Sequence, residues 1–369
     1  MIFATNAKMF LQPIQPILMN KQRWFGVLLL LLVPLAGRGQ VNQIAVPALR
    51  VEPDPVATGR GFTGVADPVG ARAVFWNPAG LAGQQGLQLG FSRFRWVPAL
   101  DDELTYNYMM ARYGNIGGHV TFLNLGSQSY RDGQGATSGD FASYELSVGL
   151  SAGQTLIPEK LSVGLGVRFV SSRLVPSGQQ VGGHQTEVGN TAAMDLGVLY
   201  RPGSYQVGSL AVEPSVGLAI TNVGGRVSYS DSDHKDALPT LLRLGTSQQL
   251  WLDGDGSNSL TVSAEISKLL VRADSTGAAP PLEALFSSWG SYEYYNGQST
   301  QTVGLGEQLM IGLGAEYWYG GLLAVRAGYY REGASNGGRE FVTGGGSLRY
   351  GALQVNASLA IPQGPTATD

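Results

Sequence analysis

From Gly86 onward the chain repeats short segments in which apolar residues occupy every second position, and the connections between those segments are alternately long and short. A two-residue period is the signature of a β-strand. In one such segment Leu161, Val163, Leu165, Val167 and Phe169 share a face, and Ser162, Gly164, Gly166 and Arg168 share the other. Leu260, Val262, Ala264 and Ile266 repeat the arrangement against Thr261, Ser263, Glu265 and Ser267. Ile311, Leu313, Ala315 and Tyr317 do so against Gly312, Gly314, Glu316 and Trp318. A water-soluble sandwich also alternates, with its apolar face inward. Here the second face is built of Gly, Ala and Ser with isolated charges of both signs: Glu145, Arg168, Asp195, Arg243, Glu265, Glu316, Arg326 and Arg349. A dry sandwich core would make such charges very costly. An inverted arrangement, with aliphatic rows facing lipid and small or charged residues facing a crowded lumen where they pair across strands, removes the conflict.

About thirteen strands can be placed, near 87–96, 103–113, 117–125, 140–151, 161–172, 191–201, 212–223, 240–251, 259–268, 307–319, 322–330, 339–350 and 353–361. The connections 97–102, 126–139, 173–190, 224–239, 269–306 and 331–338 then fall at one end. At the other lie 114–116, 152–160, 202–211, 252–258, 320–321 and 351–352, almost all shorter. Long loops outside and short turns in the periplasm are the rule for outer-membrane barrels. The fold class is therefore all-β: a transmembrane outer-membrane β-barrel in a bacterial outer membrane, with lipid as its solvent. Aromatics near strand ends fit interfacial girdles: Phe91, Phe94 and Trp96; Tyr106, Tyr108 and Tyr113; Tyr317, Trp318 and Tyr319; Tyr329 and Tyr330. Pro362 to Asp369 reads as a loop leading to one more strand. An unpaired edge across lipid strands peptide groups at several kcal/mol each. Closure therefore calls for that strand, or for parallel pairing of the first strand with the thirteenth.

Upstream, Lys21 and Arg23 precede an apolar run from Trp24 to Leu35, too short to span a bilayer comfortably. With Gly37 and Gly39 behind it, residues 1–39 read as a secretory signal, 1–18 being a possible upstream extension before Met19. Residues 40–86 lack clean alternation and read as a plug or lead-in segment, with short helical turns between Asp67 and Leu81, ahead of a barrel over 87–369. The 53 glycines stand beside 43% hydrophobic residues, so they belong to packed structure and not to a linker. Cysteine is absent, which excludes disulfides and thiolate metal sites. A net charge of −3 without a basic block argues against nucleic acid as a partner.

No motif supports catalysis, a cofactor or a metal. Gly59–Gly64 fits G-x-G-x-x-G but lacks a βαβ context. Gly149–Gly153 fits G-x-S-x-G but ends a strand with no helix after it. Asp253–Asn258 resembles a calcium loop but lacks the closing Glu, and reads as a polar turn. Trp76, Asn77, Pro78 and Gly80 are more telling: Asn-Pro forces a turn that opens a short helix, a means of pinning the plug to the wall.

The stretch Trp76–Leu81 resembles the N-P-A-G signature of FadL-type barrels. With Ala45–Leu49, Glu52–Asp54, Gly59–Ala66, Asp101–Glu103, Leu125–Ser127, Gly314–Tyr319 and Arg326–Tyr330, the chain resembles the PorV family of the Bacteroidetes type IX secretion system, whose PorQ subgroup shares the opening motif. That resemblance implies a FadL-like barrel of fourteen strands and a non-enzymatic shuttle. Such a shuttle takes cargo bearing a C-terminal signal domain from a SprA-like translocon to a PorU-like sortase. The longest connection, 269–306, groups Trp289, Tyr292, Tyr294 and Tyr295, rigid aromatics with polar tips that suit a protein partner. The competing function is a FadL-like channel for hydrophobic small molecules. If the barrel reading holds, unheated protein will migrate faster than boiled protein on a detergent gel; identical mobility speaks against it.

Overall fold

The computed structural model describes residues 44–96, 104–131, 137–181, 183–231, 234–254, 256–274, 277–295 and 299–363. The predicted signal segment and the Asp101–Glu103 motif lie outside them. Thirteen strands pair antiparallel in strict chain order. They are β1 (Leu87–Arg95), β2 (Thr105–Tyr113), β3 (Ile116–Arg131), β4 (Thr137–Ile157), β5 (Leu161–Arg173), β6 (Gly189–Tyr200), β7 (Leu210–Gly224), β8 (Leu241–Trp251), β9 (Ser259–Leu269), β10 (Leu309–Tyr319), β11 (Leu323–Arg331), β12 (Glu340–Tyr350) and β13 (Leu353–Pro362). A short strand, Tyr205–Val207, adds alongside β7 and makes fourteen in the sheet. Among the described residues no ladder joins β1 to β13, so of the two expected routes to closure the parallel pairing of first and last strands is not the one made here.

The burial pattern is the inverted one. On β5, Leu165, Val167 and Phe169 are 46%, 51% and 49% exposed, whereas Arg168 is 6% exposed. On β9, Val262 and Ile266 face out while Thr261, Ser263 and Glu265 are buried. Grease points away from the protein because lipid is the better solvent for it, and the charges turn inward. Among the described residues no helix is long and apolar enough to cross a membrane.

Two sequence expectations need correction. The hairpin of β3 and β4 extends well past the predicted strand ends, to strands of 16 and 21 residues. Gly126 misleads a reader of sequence because it does not end β3. It sits in a bulge at φ +78°, a left-handed conformation glycine adopts freely, and the ladder resumes at Ser127. The Asn124 side chain accepts a hydrogen bond from the Gly126 amide at 3.1 Å and holds that bulge. The aromatics also divide. Tyr113, Tyr319 and Tyr350 are exposed at the short-turn end, where a girdle belongs. Tyr106, Tyr108 and Tyr330 instead turn inward and are buried, the first two against Phe75 and its neighbours and the third against Phe62.

Residues 44–86 descend inside the sheet. Ile44 bridges to Ala237 in the long connection after β7, and Arg50 pairs with Glu332 at 3.0 Å in the connection after β11. The chain then forms 3-10 turns at Pro47–Arg50, Gly70–Arg72 and Pro78–Leu81, with helices α1 (Pro55–Gly59) and α2 (Ala73–Trp76) between them, before entering β1 at the opposite end. Prolines start three of these five turns, where a missing N–H is harmless.

Replacing Val167, mid-strand on the outer face, with Arg is expected to destabilise the folded protein by about 2–4 kcal/mol in lipid. Lys160→Gln in a short turn is expected to stay within about 0.5 kcal/mol. Urea titration into lipid vesicles checks both, and a neutral Val167→Arg would place that face elsewhere than in the bilayer.

Candidate functional site

The plug is tied to the wall through its own peptide groups. Asn77 is fully buried and stands at the centre. Its Oδ1 accepts from the Ala79 amide at 3.1 Å, capping the last 3-10 turn, while its Nδ2 donates to the carbonyls of Val65 and Val198, both at 3.0 Å. Pro78 and Ala79 press directly on wall backbone. A Cβ on Gly164 of β5 would stand 2.2 Å from the Ala79 nitrogen, so glycine is the only residue that admits this contact. On the far wall a Cβ on Gly314 would meet the Arg60 carbonyl at 2.1 Å. Trp76 donates its indole N–H to Asp54 at 3.2 Å, and Arg243 from β8 lies 5.1 Å above its ring. Asp54 also caps α1 by accepting from the Val56 amide at 3.0 Å and pairs with Arg72 at 3.1 Å. Burial pulls the Arg72 guanidinium down, but Asp54, Asp67 and Glu316 outweigh it and hold it above the ordinary arginine value.

Three pairs of the predicted lumen charges meet across adjacent strands: Arg168 with Asp195, Arg243 with Glu265 at 3.6 Å, and Arg326 with Glu316. Sequence reasoning missed a second role for the acids. Glu145 accepts from the Ala48 amide at 3.0 Å, and Glu265 accepts from the Gly64 and Val65 amides at 2.9 and 3.0 Å. Nothing in an isolated Glu on a strand announces which distant peptide it will receive. Arg349 differs from the rest, being exposed at the short-turn mouth, where it stacks on Trp318 at 4.2 Å and donates to Gln354.

At the other end, connection 270–308 folds on itself into a helix, α3 (Pro281–Ser287), and a small hairpin of Tyr292–Tyr295 with Thr300–Val303. Trp289 donates to the Leu285 carbonyl at 2.8 Å and receives Lys268 over its ring. Tyr292 is buried, Tyr294 is half-buried beside Glu307 and Glu332 in a small hollow, and the Tyr295 backbone pairs with Thr300. The open apolar surface belongs to Leu282 and Phe286, one helical turn apart on α3 and 69% and 76% exposed. Their i, i+4 spacing was readable, but only to a reader who had found a helix inside a loop. Among the described residues no cluster of His, Asp and Glu could hold a metal, and Asp253 binds its own turn through Ser257 and Asn258.

A family profile described as type IX secretion system protein PorV matches residues 36–276. No curated protein matches the chain. Among solved structures it is similar to the toluene transporter TbuX of Ralstonia pickettii, at 15% identity over 84% of this chain and 92% of that one, with a TM-score of 0.45. It is also similar to the toluene transporter TodX of Pseudomonas putida (13% identity, 87% and 92% coverage, TM-score 0.40). A third is a FadL homologue of Pseudomonas aeruginosa (11% identity, 87% and 91% coverage, TM-score 0.39). Scores this low say nothing about what this chain binds.

Asn77→Ala is expected to weaken plug docking by about 2–4 kcal/mol, because it leaves buried partners without hydrogen bonds. Limited proteolysis should then release fragments from residues 44–86 while the β-sheet circular dichroism signal stays. A digest unchanged from that of the unmodified chain would show that Asn77 does not anchor the segment.

Proposed function

Because this outer-membrane protein belongs to the PorV family of type IX secretion components, we propose that its outer rim captures the C-terminal signal domain of secreted cargo and passes it between a SprA-like translocon and a PorU-like sortase. No catalytic step is assigned to it. The observation that carries this reading is the occupied lumen. Plug backbone touches wall backbone at Gly164 on one side and at Gly314 on the other. Hydrogen bonds to Glu145, Glu265 and Thr343 fix it at other heights. A solute path through the centre requires breaking many of these contacts at once, whereas a binding surface on the rim requires breaking none.

Leu282 and Phe286 supply an apolar anchor of the kind that dominates protein interfaces. Tyr294 lies in the same connection, and Trp289 holds α3 in place from behind. Trp289, Tyr292, Tyr294 and Tyr295 thus act in this proposal partly as contacts and partly as the scaffold of the contact surface. Tethered to a surface, an isolated cargo signal domain should retain the purified full chain. The double change Leu282→Ala, Phe286→Ala should weaken retention at least tenfold, and Trp289→Ala should weaken it through loss of α3. Retention unaffected by all three changes would move the site off this connection. Absence of capture, together with uptake of a labelled fatty acid into liposomes carrying the protein, would favour the channel instead.

A further inference from the structure

Connection 270–308 reaches over the lip of the barrel to the outer face of the wall. Lys268 continues the lipid-facing row of Val262 and Ile266 on β9, yet it is buried, because Trp289 of this connection lies over it at 5.6 Å. Further along, the hairpin of Tyr292–Tyr295 with Thr300–Val303 encloses a hollow of about 320 Å3 against the loop-side ends of β10 and β11. Alternation tells which face of the wall this is. Ile311 on β10 and Arg331, the last residue of β11, are directly paired and both line the hollow. Each continues an exposed row, Ile311 that of Leu313 and Arg331 that of Leu323 and Val325. The hollow therefore lies on the side of the barrel that meets lipid, where the bilayer gives way to water. Leu309 and Ile311 give it an apolar wall, and Tyr294, Gln301 and Thr302 of the hairpin bring polar groups.

The carboxylates near this hollow are each engaged. Glu332 receives Arg50, Arg339 and the Tyr330 hydroxyl. Glu307 accepts from the Gly304 amide at 2.9 Å. Glu340, opposite Arg331 in the ladder, accepts from the Tyr329 hydroxyl at 2.7 Å. Arg331 differs from its surroundings. It is exposed, and among the described residues its guanidinium has neither an ion pair nor a hydrogen bond. The same sign recurs at the same level of the barrel, where Arg93 and Arg95 on β1 and Arg173 on β5 hold outward positions near the loop-side strand ends. At the short-turn side the outward rows end instead in Tyr113, Tyr319 and Tyr350, which carry no charge. The two rims of the lipid-facing surface are thus unlike in charge, and the loop-side rim is the one that suits anions.

We propose that this hollow holds the phosphate group of an outer-leaflet lipid, with Arg331 as its donor and with Leu309 and Ile311 against the upper part of the acyl chains. A planar guanidinium presents paired N–H groups that match two phosphate oxygens. The side chains of Tyr294, Gln301 and Thr302 offer the headgroup further hydrogen bonds. The place in the fold says where the phosphate comes from. Long loops lie outside, so the loop-side strand ends stand at the level of outer-leaflet headgroups. Ile311 belongs to a row that lipid tails solvate, so a lipid lying along β10 and β11 brings its phosphate to Arg331 with its tails already in place. The site uses a part of connection 270–308 other than Leu282 and Phe286, and a lipid in it does not occupy the surface assigned to cargo.

The test uses the purified full chain in a neutral detergent, with calorimetric titration of three probes: a short-chain phosphatidic acid, the corresponding diacylglycerol and inorganic phosphate. Saturable binding of phosphatidic acid is expected, with no binding of the diacylglycerol and at least tenfold weaker binding of inorganic phosphate. Arg331→Gln, a change at an exposed side chain that leaves no acid unpaired, should weaken phosphatidic acid binding at least tenfold. Lys160→Gln, which removes a cation from a short turn at the other end, should leave it unchanged. A heat-shifted band shows that each variant is folded. Absence of phosphatidic acid binding, or equal binding by the Arg331→Gln protein, would overturn the proposal. So would an equal loss in the Lys160→Gln protein, which would reduce the effect to overall charge. Inorganic phosphate bound as tightly as the lipid would overturn the assignment to a lipid. Retention of the cargo signal domain is read from the Leu282 and Phe286 variants and does not enter this test.

Discussion

An irregular peptide enclosed in a barrel has no water to satisfy its N–H and C=O groups, and the rest of this structure follows from that constraint. Residues 44–86 form only short turns, so most of their peptide groups cannot bond within a helix or ladder. The wall supplies the partners. Glu145 takes the Ala48 amide, Glu265 takes those of Gly64 and Val65, and Thr343 receives the Gly61 amide at 3.0 Å. Ser215 donates to the Ala66 carbonyl at 2.6 Å. Where no wall side chain is available the plug provides its own, as Asn77 does for the carbonyls of Val65 and Val198.

That arrangement explains why the inner face combines two residue classes that rarely share one. Glycine lets backbone meet backbone, and a neighbouring acid or hydroxyl then reaches the peptide group thus brought close. Glu265 serves twice, toward Arg243 and toward the plug, so its burial is compensated by charge and by hydrogen bonds together. The fastening continues to the outer mouth, where Glu332 receives Arg50 from the plug and Arg339 from its own loop, at 3.0 and 2.7 Å. Plug and outer loops are therefore one mechanical unit, and a partner that seats on the rim does so on a supported surface.

The period-two pattern and the alternation of loop lengths made the strand number and order legible, because each depends on solvent preference that repeats along the chain. The inward charges were legible for the same reason. What stayed hidden depended on distant partners. Tyr106 and Tyr108 have the same local pattern as a girdle residue, and only the arrival of Phe75 distinguishes them. Gly126 looks like a strand end unless the bulge partner is known. The Asn-Pro turn was readable as an anchor, but its acceptors on β6 and the glycines that make room for it were not. On the rim, the aromatic cluster drew the eye toward Trp289 and Tyr292, whereas the loop's own folding turned these inward and left Leu282 and Phe286 outside.

The two sheet edges give the plug a further duty. β1 and β13 run in the same direction, since twelve antiparallel steps separate them, and among the described residues no ladder joins them. The plug reaches both from inside. Helix α1 packs against β12 and β13, with the Gly59 carbonyl and the Gly61 amide both bonded to Thr343. The next turn meets β1, where the Gln88 side chain accepts from the Ala71 amide at 2.9 Å. Asp54 and Arg72, joined by their ion pair, tie those two turns together. The segment from α1 to Arg72 thus works as a strut that links β1 to β12 and β13 through the lumen.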